Sequence, residues 1–184
     1  MTTMTTTKIE TELETLPTNP FIFEILTLAS KQRSKVKKVE VLKTYEHDSL
    51  KAIFIWNFDE SVISALPEGD VPFFGDNDMK TTTMSERIED AVKQLNGSSI
   101  GAIDQRYSSI RNEYDKFYNF IKGGNDSLNG IRRENIFVNL LEGLHPFEAE
   151  ILCLCKDKKL ESKYKINKEI VSEAYPDIVW GNRG

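Results

Sequence analysis

The side chains best suited to catalysis or metal binding are few in this chain and stand apart from one another. Its only two histidines, His47 and His145, belong neither to an H-E-x-x-H motif nor to an H-x-E…C-x-x-C motif. They stand beside Asp48 and Pro146, at predicted helix starts, where a polar side chain can hydrogen-bond the free backbone N–H groups. We therefore interpret both histidines as capping or corner residues.

The two cysteines, Cys153 and Cys155, lie in one apolar run at residues 151–155 with C-x-C spacing. Redox pairs and zinc knuckles need C-x-x-C spacing or further ligands. Thiols in such a run are typical of small apolar side chains in a core. We therefore expect both cysteines to be buried and reduced, as in a reducing, cytosolic compartment.

Acidic residues offer two further arrangements that could hold a metal ion. Residues 76–78 (Asp-Asn-Asp) begin like a calcium loop, but Thr81 and Arg87 stand where the loop needs Gly and Glu. Asp59 and Glu60 have no further acids at a matching helical spacing, so a surface cap fits them better. Phosphate-binding loops, G-x-G-x-x-G and G-x-S-x-G are also missing from the sequence. The sequence predicts no catalytic residue, no metal site and no cofactor, and therefore a protein that is not an enzyme.

Charge is distributed unevenly along the chain. Residues 31–51 hold seven Lys or Arg against three acids, and residues 156–168 hold six Lys against two acids. Each window carries +4, so the rest of the chain carries −13 within a net charge of −5. Segregation of this kind can place a basic face on an acidic protein, although solvated helix surfaces produce the same pattern.

The candidate basic face takes its cations from both windows and from one further pair. Its members are Lys35, Lys37, Lys38, Arg132, Arg133, Lys158, Lys159 and Lys163. Such a face would bind a polyanion, either nucleic acid or an acidic protein. Ion pairs within the chain and Lys side chains that stabilise helix C-termini are the structural alternatives. Aromatic residues are not interleaved with these cations, which argues against recognition of single-stranded RNA by an aromatic platform.

Composition and periodicity favour an all-α fold. The chain has 184 residues, of which 39% are hydrophobic and 29% charged, enough for one core and unlike a disordered chain. We predict a compact domain of six to seven helices over residues 18–184, preceded by a flexible tail at residues 1–17. The sequence contains no run of 18 apolar residues and no apolar segment near Met1, so we predict a soluble protein without transmembrane helix or signal peptide.

The strongest periodic signal is a heptad-like seam, which predicts one long helix from about Ser99 to Ile121. Its apolar residues follow one another at intervals of three and four. The seam residues are Ile103, Tyr107, Ile110, Tyr114, Phe117 and Ile121. Packing of this seam onto the chain's own core is the favoured interpretation, and self-association through it is the alternative.

Residues 50–58 are ambiguous between helix and strand. Leu50, Ile53, Phe54 and Phe58 fit a helix capped by Asp48, yet residues 53–56 are equally good strand material. Because the flanking segments are helical and no partner strand is apparent, we predict a buried helix.

Several segments resemble an uncharacterised protein family of tailed myophages, the T4-like phages of marine cyanobacteria and their relatives. The matching segments are FIFEIL (21–26), LPEG (66–69), RRENIF (132–137), LLEGLHP (140–146), EAEIL (148–152), KDKKL (156–160) and EAYP (173–176). The resemblance covers about 20–70 and 118–178. Residues 76–117 match poorly and are interpreted as an elaboration of this protein.

The resemblance implies a phage protein that works in the cytoplasm of the infected bacterium or in the virion, and it transfers no catalytic residue. We therefore predict a non-enzymatic helical interaction protein, an accessory factor in phage DNA or RNA metabolism or in takeover of the host. A virion structural or assembly component is the alternative. The expected partner is a phage or host protein, with nucleic acid and self-association as open alternatives and no membrane.

Overall fold

The computed structural model describes residues 16–73, 82–95 and 107–183. Within these residues the chain forms nine α-helices, one 3-10 helix and two strands of two residues each. The helices are α1 (Ile22–Lys31), α2 (Lys35–Thr44), α3 (Asp48–Phe58), α4 (Met84–Leu95), α5 (Ile110–Glu113), the 3-10 helix (Tyr114–Phe120), α6 (Gly130–Gly143), α7 (Pro146–Lys156), α8 (Leu160–Tyr164) and α9 (Lys168–Ala174). The strands β1 (Pro72–Phe73) and β2 (Thr82–Thr83) pair antiparallel.

The all-α prediction is confirmed, and the described residues contain more helices than the six to seven that were predicted. The additional elements are short: α5 has four residues and α8 has five. A periodic pattern needs a longer window than one helical turn, so segments of this length escape it. The predicted flexible tail lies largely outside the described residues.

Helix α7 lies at the centre of the domain and contacts α1, α3, α4, α6 and α8. Its inward face carries Ile151, Leu152 and Cys155, all fully buried. Helix α2 packs against α1 on one side and against α9 on the other. The first two helices therefore pack against each other, and the last helix packs against the second of them.

The ambiguous segment is helical, as predicted. Leu50, Ile53 and Phe54 are completely buried in α3. The observed cap is His47, one residue before the predicted cap Asp48, because the side chain of His47 accepts the backbone N–H of Ser49 at 3.1 Å. Since α3 is buried along its length, its apolar residues do not follow the one-sided pattern of a surface helix.

The predicted long helix at 99–121 is wrong in its described part. Residues 107–109 are not helical: the backbone N–H of Ser108 donates to Gly143 O at 2.8 Å, and its carbonyl accepts from His145 N at 3.2 Å. Helix α5 begins only at Ile110. These contacts tie the chain to the turn between α6 and α7 and hold it out of a helix.

The 3-10 helix also changes which residues face the core. With three residues per turn, positions 114, 117 and 120 lie on one face, whereas the heptad pattern selected 114, 117 and 121. Phe117 and Phe120 are accordingly buried, and Ile121 is only partly buried. Of the seam residues, Ile110 and Phe117 are buried within the chain, in a register that differs from the predicted one. Ile103 lies outside the described residues.

No helix of the described segments is both long enough and apolar enough to span a membrane.

Candidate functional site

Five of the eight predicted face cations make polar contacts within the chain. On α2, the ammonium of Lys35 pairs with Glu169 at 2.5 Å and with Glu173 at 2.8 Å, and these hydrogen bonds raise the pKa of Lys35. The ammonium of Lys38 donates to the carbonyl of Lys165 at 2.7 Å. These contacts attach α2 to α9 and to the loop that precedes it.

Two cations of the second basic window, Lys158 and Lys163, also make polar contacts within the chain. The ammonium of Lys158 donates to the carbonyls of Trp56 at 2.8 Å and Asp59 at 3.0 Å, and burial lowers its pKa. The ammonium of Lys163 pairs with Glu150, and burial lowers the pKa of Lys163 as well. The ammonium groups of Lys158 and Lys163 are therefore already engaged by groups of the protein itself.

Arg133 also acts within the fold. Its guanidinium donates to the carbonyls of Asn119 at 2.9 Å, Asn125 at 2.9 Å and Leu128 at 3.2 Å. It thereby closes the loop between the 3-10 helix and α6. The structure therefore places Arg133 in a capping role for this loop.

Lys37, Arg132 and Lys159 are the three face residues whose side chains make no hydrogen bond or ion pair with the described part of the chain. Of these, Lys37 lines a concavity of about 250 Å³ between the end of α1 and the start of α2. We name this concavity the basic concavity. Its lining consists of Lys31, Gln32, Arg33, Ser34 and Lys37.

Helix ends position the residues of the basic concavity. Ser34 caps α2, since its hydroxyl accepts the backbone N–H of Lys37 at 3.2 Å. Lys31 lies in the last turn of α1, where a cation offsets the partial negative charge of the helix end. Lys37 lies in the first turn of α2, where the helix dipole adds positive potential. No acidic residue is among the described residues that line it.

The residues of the basic concavity can bind an anion, but they include no group suited to catalysis. Three cations within seven residues face a concavity next to a helix N-terminus, where phosphate and carboxylate groups are favoured. Lys31 and Arg33 were not among the predicted face residues, because only Lys35, Lys37 and Lys38 were taken from the first basic window. The signal that could have found them is the three-residue connection 32–34, which brings the ends of two helices together.

A buried carboxylate, Glu148, was also missed by the sequence interpretation. Its Oε1 accepts the backbone N–H groups of Ile22 at 3.0 Å and Ile110 at 3.4 Å, and its Oε2 accepts that of Phe23 at 2.9 Å. It therefore caps α1 and α5 from a third helix. Burial raises the pKa of Glu148 to about 7, while these hydrogen bonds act in the opposite direction.

The position of Glu148 on α7 could have revealed it. Residues three, four and seven positions further on are Ile151, Leu152 and Cys155, the buried face of the helix. An acidic residue on such a face needs internal hydrogen bonds.

The capping prediction for the two histidines is confirmed. His47 caps α3, and His145 caps α7, where its Nδ1 accepts the backbone N–H of Phe147 at 3.2 Å. His145 is buried and packs against the ring of Phe23, with ring centroids 4.7 Å apart.

Both cysteines are free, but only Cys155 is buried; Cys153 is partly exposed, which corrects half of that expectation. Cys153 reaches a groove lined by Ile88 of α4. Burial raises the pKa of both thiols, that of Cys153 to about 12.

Asp59 is buried rather than superficial, and it acts as an anchor for the C-terminal residues. Its carboxylate accepts N–H and O–H from Ser61 and the N–H of Gly181, and it pairs with Arg183 at 3.0 Å. Burial acts to raise its pKa, but these hydrogen bonds and the arginine lower it to about 2. Within the described segments, no three His, Cys, Asp or Glu residues lie together as a metal site would require.

Comparison with known proteins gives one finding about ancestry. The model of a family of unknown function, DUF6433, matches residues 25–104 and 98–162, which together exceed half of the chain. The matched residues include the stretch 76–117 that the sequence analysis set apart. No significant match was found among curated proteins or among solved structures.

Proposed function

The chain belongs to DUF6433, a family of unknown function, and we propose that it is a non-enzymatic interaction protein that binds the phosphate backbone of nucleic acid. The observation that carries this proposal is the basic concavity at the α1–α2 junction. There Lys31, Arg33 and Lys37 line one depression, without an acidic neighbour in the described lining.

Electrostatics supports a polyanion over a single small anion. The concavity, of about 250 Å³, lies on a protein whose net charge is −5, so it needs a ligand with a high local charge density. A phosphate backbone supplies one charge at each nucleotide and releases counterions when cations neutralise it. Repulsion from the acidic remainder is screened over about 8–10 Å at physiological salt.

The setting of this function is part of the same proposal. The resemblance to myophage proteins supports an accessory factor in phage DNA or RNA metabolism or in host takeover, acting in the cytoplasm of an infected bacterium. A contact with the phosphate backbone carries no sequence information by itself. Specificity would therefore come from a phage or host protein partner.

The experiment is a salt titration of binding to a labelled single-stranded and a labelled double-stranded oligonucleotide, followed by fluorescence anisotropy. If three phosphates are neutralised, the log–log slope on duplex DNA should be about −2.7, from about −0.9 per phosphate. The variant with Lys31, Arg33 and Lys37 changed to Glu should lose most of the affinity and of the slope. Its helicity should stay unchanged, because the three side chains make no ion pair with described residues.

The matched control is the variant with Lys122, Arg132 and Lys159 changed to Glu. These exposed cations lie on other elements, and the change in net charge is the same. Equal weakening in both variants would mean that affinity follows total charge and not the basic concavity. No binding by the wild type at low salt would remove nucleic acid from the proposal.

A virion or assembly role is the alternative. It was favoured by the heptad seam, whose residues Ile110 and Phe117 are buried within the chain. Detection of the protein by mass spectrometry in purified particles, at a stoichiometric amount, would favour this alternative over an intracellular factor.

A further inference from the structure

A second cavity, of about 410 Å³, opens at the start of α1 and the end of α2. It lies at the other termini of these two helices from the basic concavity. The residues that matter here are Phe21, His47, Tyr107, Ser109, Arg111 and Asn112, all of which line the cavity. We name it the Arg111 cavity.

Arg111 is held in place by one of its nitrogens and leaves the others for a ligand. Its Nε donates to the carbonyl of Pro20 at 2.7 Å, which fixes the plane of the guanidinium. Its two terminal nitrogens make no hydrogen bond with the described residues. A guanidinium anchored in this way presents a preorganised fork for an oxyanion.

The neighbouring polar groups are mainly donors. The Nδ1 of His47 accepts from Ser49 N at 3.1 Å and lies 2.7 Å from Ser49 Oγ, so the neutral ring carries its proton on Nε2. Burial and the Arg111 charge lower the pKa of His47, and Asp48 acts in the opposite direction. Ser109 and Asn112 add a hydroxyl and an amide to the lining.

Charge within the cavity is positive. No Asp or Glu is among the described residues that line it. The acid whose charge acts on Arg111 is the buried Glu148, and its carboxylate is engaged by backbone N–H groups of α1 and α5. Arg111 therefore has no direct ion-pair partner in the described structure and retains its charge for a ligand.

We propose that the Arg111 cavity binds the phosphate group of a small phosphorylated ligand through Arg111, Ser109 and Asn112. A guanidinium, a hydroxyl and an amide that line one cavity offer enough donors for the three oxygens of a phosphate monoester, more than the two oxygens of a carboxylate need. The rings of Phe21 and Tyr107, each in contact with the ring of His145, form an apolar wall for the rest of the ligand. This inference does not depend on the proposed nucleic-acid contact, which uses a different surface.

The test is an NMR titration of the isotope-labelled full chain with inorganic phosphate, adenosine 5′-monophosphate and adenosine. Phosphate and the nucleotide should cause saturable shifts of the amides of Ser109, Arg111 and Asn112, and adenosine should not. The Asn112→Asp variant places a carboxylate in the cavity with almost no change in shape. Its affinity for both phosphates should fall by roughly tenfold or more.

Asn139→Asp is the matched control, because Asn139 is also exposed, lies on α6 and gives the same change in net charge. It should bind both phosphates as the wild type does. A second variant, Arg111→Lys, keeps the charge, loses the fork and should also bind more weakly. Shifts confined to residues 31–37, equal weakening in Asn139→Asp, or no saturable shift with either phosphate would each overturn the proposal.

Discussion

Raising the pH through the acidic range should destabilise the fold through Glu148. Burial raises the pKa of this carboxyl group from 4.5 to about 7 in the folded protein. Between these values the folded state holds more protons than the unfolded state, so the free energy of unfolding falls as the pH rises. The stabilising contribution is fully present below the pKa of Glu148 in the unfolded chain, and it is lost as the pH rises through its pKa in the folded protein. A gap of about 2.5 pH units, at about 1.36 kcal/mol per unit, amounts to about 3 kcal/mol.

The Glu148→Gln variant isolates this contribution because its side chain does not titrate. Both carboxylate oxygens accept backbone N–H groups, so an amide NH2 in place of either oxygen would face another donor. That mismatch should cost about 1–3 kcal/mol at every pH. The difference in stability between wild type and variant should nevertheless shift by about 3 kcal/mol in favour of the variant as the pH rises from about 4 to about 8.

The assay is urea unfolding followed by circular dichroism at several pH values in this range. Glu161→Gln is the control, because Glu161 is exposed on α8 and its substitution removes the same charge. Its curve should run parallel to that of the wild type. If the Glu148→Gln curve is also parallel to the wild type, the carboxyl group does not titrate between these limits and the reasoning is refuted.

Three further outcomes follow from burial. Phe120→Ala should cost about 3–5 kcal/mol of stability in urea unfolding, whereas Tyr118→Ala, on the exposed side of the 3-10 helix, should cost less than about 0.5. Native labelling at pH 8 should be slow at Cys153 and slower at Cys155, since burial raises both pKa values; rapid labelling of both would contradict this. Lys156→Ala should cost about 3–5 kcal/mol, because the buried ammonium holds Asp157 and the carbonyls of Pro67 and Gly69; unchanged unfolding would contradict it.

The fold class could be predicted from the sequence, but the route of the chain near residue 110 could not. Periodicity recognises an apolar stripe and assumes a period near 3.6. Residues 114–120 instead form a 3-10 helix, and Phe120 takes the core position expected for Ile121. The chain near residue 110 is held by residues that are distant in sequence, since the backbone of Ser108 is hydrogen-bonded to Gly143 and His145. A pattern that considers only neighbouring residues contains no information about such contacts.

The basic windows show how far charge counting leads toward a site. Both carry +4, yet Lys158 and Lys163 of the second window have internal partners, and Lys35 and Lys38 of the first window do too. The long side chain of a lysine on a helix can reach nearby carboxylates or free backbone carbonyls. Its ammonium is then engaged within the protein and is not available to a ligand.

Three cations without an ion-pair partner among the described residues gather where α1 ends and α2 begins. There Lys31, Arg33 and Lys37 line one concavity, with no acidic residue in the described lining. A helix junction also leaves unpaired N–H groups at the start of α2, which add to the attraction for an anion. Helix boundaries, combined with charge, are therefore the better guide to the basic concavity than the count of lysines in a window.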